Sequence, residues 1–348
     1  MEKTRTKKKP FLRRHAYAIL FSLCLLALTA FVLLDTFILP HTITVEASAS
    51  STGEVVTVNA ETDTAEETAA SETAPEETTA AEETAASQET TVSTSAVSAS
   101  SEPVITENSY SSSDVTITIT TIRVEDTDVH IADVQLSGSA TIQTALANDT
   151  FGTNITQTTS EIAEQAGAIL AINGDFYGAN KRGYVIKNGV LYRSTARSGD
   201  ETEDLVIYAD GTFGIIDETE ISAEELIENG VVQLLAFGPT LVEDGEIQVV
   251  NGEEIAQARV SNPRTAIGII DSGHYIFVVS DGRTDDNAGL SLLELAELMQ
   301  QYGCVTAYNL DGGGSSTMVF NGVVVNQPTT SGNTISERAV SDIVYIGS

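Results

Sequence analysis

From residue 115 onward, apolar side chains fall on alternate positions: Val115, Ile117 and Ile119, then Ile122 and Val124. A period of two predicts a strand with one buried face, and it marks the start of a folded domain. Further strand-type runs are divided by tight-turn dipeptides. Asn188-Gly189 separates Tyr184-Val185-Ile186 from Val190-Leu191-Tyr192, Asp210-Gly211 follows Leu205-Val206-Ile207-Tyr208, and Asn321-Gly322 separates Met318-Val319-Phe320 from Val323-Val324-Val325. Such dipeptides accept the positive φ angles that two-residue hairpins require. At Ser291 the period becomes helical: Leu292, Leu295, Ala296 and Met299 form one stripe, Ser291 and Glu294 make a capping box, and Gly303 stops the helix. Shorter helices are expected at residues 160–165 and 223–228. The pattern predicts an α+β domain over residues 114–348, strand-rich, with mixed sheets and a few packed helices.

The first forty residues read differently. A basic tail, residues 1–15, carries Lys3, Arg5, Lys7, Lys8, Lys9, Arg13 and Arg14 against Glu2 alone. An uncharged apolar run from Ala16 to Leu34 follows, close to the roughly 20 residues that cross a bilayer as a helix. Residues 16–39 are therefore expected to be a transmembrane signal anchor, with the N-terminus cytoplasmic and the rest of the chain extracellular. A cleaved signal peptide is the alternative, with Ala47-Ser48-Ala49 as its cleavage site, but the run exceeds the usual length of such a segment. Residues 40–113 are dominated by Thr, Ala, Ser and Glu, with near-repeats such as Ala65-Glu66-Glu67-Thr68-Ala69-Ala70 and Ala81-Glu82-Glu83-Thr84-Ala85-Ala86. They hold too little apolar surface to offset their conformational entropy, so a disordered spacer is expected.

Charge sharpens this division. The net charge is −33, and beyond Asp35 there are ten Lys and Arg against 48 Asp and Glu. So acidic an exported part argues against nucleic acid and anionic lipid headgroups as partners, and any anionic ligand would need locally placed Arg or Lys. Cys24 lies in the apolar run and Cys304 is the only thiol beyond it, so no intramolecular disulfide holds the domain.

Two strand-type runs end abruptly in polar residues. Ala168-Ile169-Leu170-Ala171-Ile172 runs into Asn173-Gly174-Asp175-Phe176-Tyr177, and Val305-Thr306-Ala307-Tyr308 runs into Asn309-Leu310-Asp311-Gly312-Gly313-Gly314-Ser315-Ser316. Three consecutive glycines allow close approach of a ligand and can turn amide N–H groups toward an anion, and Ser315 and Ser316 add hydroxyls. Taken alone, such a run is equally a flexible loop, with Asp311 a turn residue. His15 and His41 flank the apolar run and His130 and His274 stand far apart, which disfavours a Ser-His-Asp triad or a His-rich zinc site. Cys304 reads as a core residue. No cofactor or metal site is expected, although Asp175, Asp281 and Asp311 are of the type that a hard divalent cation would take.

Asn173-Gly174-Asp175-Phe176-Tyr177, Gly238-Pro239-Thr240, Asn262-Pro263-Arg264-Thr265-Ala266-Ile267-Gly268, Ser280-Asp281-Gly282-Arg283, Gly289-Leu290-Ser291 and the run from Asn309 to Met318 occur in that order. Together they resemble the phosphodiester glycosidase family, many of whose bacterial members are anchored or secreted proteins loosely linked to exopolysaccharide or wall metabolism. The resemblance implies hydrolysis of a sugar-1-phosphodiester at the anomeric carbon, with a phosphodiester-linked glycan or wall polymer as the partner. It makes Asp311 and Asp175 the candidate carboxylates for base, nucleophile or cation stabiliser, and Arg264 the phosphate-binding candidate. Asn173, Asn309, Asp281, Arg338 and the run Gly312, Gly313, Gly314, Ser315 and Ser316 become candidate substrate contacts. Arg338 is also readable as a structural partner of Glu337, and Tyr177 as a sugar-stacking ring or a core residue. A carbohydrate-binding module that no longer turns over is the alternative, against which stand the retained Asp175, Arg264 and Asp311 and the lack of Trp.

Overall fold

The computed structural model describes residues 11–42, 102–199, 202–249, 261–331 and 334–347. Residues 43–101, most of the expected spacer, lie outside this description. Helix α1 (Phe11–Phe37) covers the expected anchor, and the side chains of residues 11–20 and 36–37 lie outside the description as well. Among the described residues no helix is long and apolar enough to cross a membrane.

The folded unit begins about ten residues before the boundary expected at 114. Strands Val104–Ile105 and Ser109–Ser111 already pair with each other, and Ser109–Ser111 pairs with Val115–Val124. Their Ser- and Thr-rich surroundings hide them, but Tyr110 is buried and joins the main core.

One sheet has nine strands, in the spatial order Glu246–Ile247, Thr240–Glu243, Thr306–Asn309, Thr265–Asp271, His274–Ser280, Thr127–Leu136, Val115–Val124, Ser109–Ser111 and Val104–Ile105. A second has five: Val323–Val324, Met318–Phe320, Ala168–Asn173, Asp342–Gly347 and Gln143–Leu146. A third, of three strands, sets Glu203–Tyr208 between Phe213–Asp217 and Val231–Leu235. Neighbouring strands in all three are antiparallel, which corrects the expectation of mixed sheets. The reason is where the crossover lands. Strand His274–Ser280 leads through α4 (Leu292–Gln301) to Thr306–Asn309, which lies two places away with Thr265–Asp271 between them. The strands joined by the crossover run the same way, yet each touching pair is antiparallel.

The nine-stranded sheet is covered on both faces, so its central strand His274–Ser280 is apolar from Tyr275 to Val279 rather than alternating. Phe277 and Val279 face the core shared with the second sheet, among Ile117, Val134, Ile172, Leu310 and Met318. Ile276 and Val278 face α4 and pack with Leu295, Ala296 and Met299. Cys304 is in this second cluster, where burial pushes its thiol up to about 12, so it is a core residue and not a nucleophile.

The turns and caps follow the sequence pattern. Asn188 and Gly189 have φ of 50° and 76°, and Asn321 and Gly322 have 49° and 77°, as tight hairpins require. The two shorter helices form as α2 (Thr159–Ala166) and α3 (Ala223–Glu228). In α4 the Ser291 hydroxyl accepts from the Glu294 amide at 3.2 Å while the Glu294 carboxylate accepts from the Ser291 amide at 2.7 Å. Replacing Ser291→Ala should therefore cost about 1 kcal/mol. That loss would be read as a lower urea midpoint with an unchanged slope.

Candidate active site

The two polar strand ends meet, and Asn173 is the reason. Asn173 is fully buried at the end of Ala168–Asn173. Its Nδ2 donates to the Asp311 carbonyl at 2.6 Å, and its Oδ1 accepts from Thr265 Oγ1 at 2.8 Å and from the Thr317 amide at 3.2 Å. One side chain thus ties a strand of the nine-stranded sheet, the end of the second sheet and the loop after Asn309. Asn309 itself uses Nδ2 on the Gly238 carbonyl at 2.7 Å, which makes it a brace for the neighbouring loop.

The glycine run admits neighbours that a side chain would displace. A Cβ on Gly312 would stand 2.9 Å from the Pro263 carbonyl, one on Gly313 would stand 2.7 Å from Arg283 Nη2, and one on Gly314 would stand 3.0 Å from Thr330 Cα. Gly313 also has a φ of +62°, which disfavours any side chain there. Of the three glycine amides expected to form a cradle, that of Gly313 is already engaged. The amides of Gly313, Ser315 and Ser316 donate to the carbonyls of Pro263, Gly312 and Gly313 at 2.8, 3.3 and 3.3 Å, so these three are spent in folding the loop. Ser316 is buried, and its Oγ has no partner among the described residues.

What the loop presents is a carboxylate unit. Ser315 Oγ donates to Asp311 Oδ2 at 2.6 Å, and Arg338 Nη2 donates to Oδ1 and Oδ2 at 3.2 and 3.0 Å. Arg338 Nε also donates to Ser315 Oγ at 2.9 Å, closing a three-residue ring. The Asp311 side chain is 11% exposed and that of Arg338 41%, so the unit opens to solvent on the arginine side. Burial pushes the Asp311 carboxyl up, with the Arg338 charge and the Ser315 hydroxyl opposing it. The other reading of Arg338, as a partner of Glu337, is not what the structure shows. Glu337 instead accepts from the Ser160 amide and hydroxyl at 3.0 and 2.6 Å in the first turn of α2, where a carboxylate is favoured.

Asp175 sits in a separate buried cluster. Its Oδ1 accepts from the Tyr177 amide at 2.9 Å, and its Oδ2 accepts from Lys187 Nζ at 3.0 Å and from the Ala236 amide at 3.1 Å. Lys187 also reaches Asp342 Oδ2 at 2.7 Å. Burial pushes the Asp342 carboxyl up to about 7, with the Asp175 carboxylate adding to the rise and Lys187 opposing it. Burial alone would lower the Lys187 ammonium, but the two carboxylates hold it above its usual value. The Asp342 carboxylate lies against Gly174, where an added Cβ would come within 2.5 Å of it, and the Gly174 carbonyl accepts from the Asp311 amide at 3.4 Å. This cluster therefore backs the Asp311 loop.

The remaining candidates divide in the same way. Arg264 is buried, with Nε on the Leu290 carbonyl at 2.9 Å and its amide on Ser280 Oγ at 2.9 Å. Asp281 accepts from the Gln327 amide at 2.7 Å and meets His130 Nε2 at 3.4 Å, so it anchors the 326–327 turn. Asp175, Asp281 and Asp311 thus have separate partners. Among the described residues no group of three or more His, Cys, Asp or Glu could hold a metal ion. Tyr177 is a core residue, 1% exposed and stacked on Phe151 at 5.4 Å, while its neighbour Phe176 is 45% exposed. Lys187 and Asp342 carry no motif and were not among the expected residues. The one signal for Lys187 is a cation closing the apolar strand Val185–Lys187, which is buried along its whole length.

Fold and site define an antiparallel α+β domain whose sheet ends present an Arg-held carboxylate beside a glycine loop. The chain belongs to the phosphodiester glycosidase family: a family model described as phosphodiester glycosidase matches residues 166–347. The Bacillus subtilis (strain 168) SPbeta prophage-derived protein YomE is 32% identical over 199 residues, 56% of this chain and 30% of that protein. The mouse N-acetylglucosamine-1-phosphodiester alpha-N-acetylglucosaminidase is 33% identical over 189 residues, 49% of this chain and 35% of that protein. The chain spans about a third of the length of the curated relatives it matches. The catalytic domain of the zebrafish N-acetylglucosamine-1-phosphodiester alpha-N-acetylglucosaminidase shares the fold, with a TM-score of 0.53 and 24% identity over 68% of this chain and 83% of that one.

The cluster behind the site has a consequence for stability. Asp342 titrates at about 7 in the folded chain against an ordinary 3.8, so between these values the folded state holds more protons than the unfolded one. Stability should therefore fall as pH rises through that window. In Asp342→Asn this decline should flatten, as urea unfolding at a series of pH values would show.

Proposed function

We propose that this domain hydrolyses sugar-1-phosphodiesters at the anomeric carbon, with an α-linked N-acetylglucosamine phosphodiester as the first substrate to offer. The observation that carries this reading is the Asp311–Ser315–Arg338 unit, a partly buried carboxylate held by a hydroxyl and an arginine beside the glycine loop. Family membership supplies the reaction class, and the names of the vertebrate relatives supply the sugar.

The chemistry suits these groups. A phosphate monoester is a good leaving group, so the strong general acid of ordinary glycoside hydrolysis is not required. Water attacks the anomeric carbon, the bond from that carbon to the phosphate oxygen breaks, and Asp311 takes the proton of the attacking water. Burial raises the proton affinity of Asp311 and suits it as a base, while Arg338 and Ser315 fix its orientation. Asp175, with both oxygens engaged, holds the Asn173–Tyr177 turn in place. Arg264 and Arg338 bring positive charge to the loop in a chain of net charge −33.

We further propose that residues 16–39 anchor the chain and place the domain outside the membrane, acting on a surface glycan or wall polymer. The uncharged run from Ala16 to Leu34 and its basic flank support this.

The test uses the full chain in detergent and methyl α-N-acetylglucosaminyl phosphodiester. Free N-acetylglucosamine and methyl phosphate are expected, unaffected by EDTA. Asp311→Asn should lose about 10²- to 10⁴-fold in kcat. Glycan binding without sugar release, from this and other sugar phosphodiesters, would support a binding module instead. Release of sugar phosphate would place cleavage at phosphorus.

A further inference from the structure

Arg283, in Ser280-Asp281-Gly282-Arg283, has surroundings unlike those of the arginines that are paired with carboxylates. Arg338 is paired with Asp311, Arg197 with Asp204 and Glu218, and Arg123 with Asp128. Arg283 is exposed, and among the described residues no carboxylate pairs with it. It is nevertheless held: Nε and Nη2 both donate to Asn262 Oδ1 at 3.2 Å, and its Nη2 lies 2.7 Å from the point a Gly313 Cβ would occupy. A neutral acceptor orients the guanidinium, and among the described residues no carboxylate compensates its charge beside the glycine loop. That is the state required of a receptor for an oxyanion. The backbone at Arg283 is left-handed, with φ of 62°, so the side chain leaves the chain at a turn built to aim it.

The loop that carries Arg283 also walls a cavity of about 620 Å³. The Thr284 amide donates to the Asn287 carbonyl at 3.0 Å, and the lining includes Arg123, Asp128, Thr284, Asp285, Asp286 and Gln327. The charge of Arg123 is already met, since its guanidinium donates to Asp128 Oδ1 and Asn287 Oδ1, both at 2.9 Å, and to the carbonyls of Asp126 and Asp286 at 2.6 and 2.5 Å. Asp285 and Asp286 therefore set the sign of the hollow. Among the described residues its one aliphatic contributor is Ile335, and no aromatic ring lines it. The Gln327 amide, bonded to Asp281, ties its floor to the same turn that supports the glycine loop.

We propose that Arg283 binds the phosphate of the substrate and that this cavity receives the alcohol portion that stays esterified to the departing phosphate, a hydrophilic group bearing hydroxyls and an amine, such as an amino sugar. The proposal rests on the hydrolase reading above and gives it a direction. The departing sugar lies on the Asp311 side of Gly313, the phosphate on Arg283, and the alcohol against Asp285 and Asp286. A lipid alcohol finds only Ile335 as apolar lining among the described residues, and an acidic sugar meets two carboxylates.

The experiment compares α-N-acetylglucosaminyl phosphodiesters of methanol, glucosamine, glucuronic acid and octanol, using the full chain in detergent. Calorimetry with methyl phosphate is run in parallel. Native protein should give its lowest KM with the glucosamine diester. Arg283→Gln should lower kcat/KM about 10- to 100-fold for all four and weaken methyl phosphate by a similar factor, with Arg283→Lys recovering part of both. Asp285→Asn combined with Asp286→Asn should erase the preference for glucosamine over glucuronic acid. The phosphate assignment is overturned if Arg283→Gln binds methyl phosphate as the native chain does. The alcohol assignment is overturned if the octyl or glucuronyl diester has the lowest KM. Should no diester turn over, the hydrolase reading fails separately, and methyl phosphate still decides the role of Arg283.

Discussion

The fold of the site depends on one buried carboxamide. Asn173 has no exposure, and its donor and acceptor bonds join strand Thr265–Asp271, Thr317 and the Asp311 carbonyl, three segments far apart in the chain. A buried amide that loses such partners forfeits about 1–3 kcal/mol for each group left unmade, so the bonds specify as well as stabilise. Apolar packing could bring two sheets together in several registers, but a carboxamide that must satisfy three partners accepts one. The position of Asp311 follows from that register.

Around this fixed point the few cations of an acidic chain are concentrated. Beyond Asp35 there are ten Lys and Arg, and Lys187, Arg264, Arg283 and Arg338 all lie at or behind the glycine loop. They are used differently. Lys187 neutralises two buried carboxylates, Arg338 orients Asp311, and Arg283 is held by a neutral amide. Elsewhere the acidic surface repels anions, so local compensation is what makes an anion site workable. The glycines serve the same end by letting guanidinium and backbone approach the loop, while the amides of Gly313, Ser315 and Ser316 close it.

The hairpins at Asn188-Gly189 and Asn321-Gly322, the capping box at Ser291 and the three helices of the folded domain were legible in the sequence because each is decided within a few residues. The edge strands before Val115 were not, since Val104–Ile105 and Ser109–Ser111 have no periodicity and exist only because a sheet edge is there to pair with. The antiparallel order was hidden for a similar reason: the α4 crossover does not say beside which strand it will land. Of the candidate residues, Asp311, Ser315, Arg338 and Asn173 proved to be neighbours, whereas Asp175 and Asp281 proved to have partners of their own.

The sequence by itself determined the family, the membership of the polar strand ends in one motif set, and the chemistry those residue types can perform. Only the tertiary structure decided which carboxylate stands open and which is locked. The order of residues does not state whether Arg338 bonds to Glu337 beside it or to Asp311 far along the chain, nor that Lys187 and Asp342 are buried behind the site. Those pairings are set by long-range register and desolvation, which no local stretch of sequence contains.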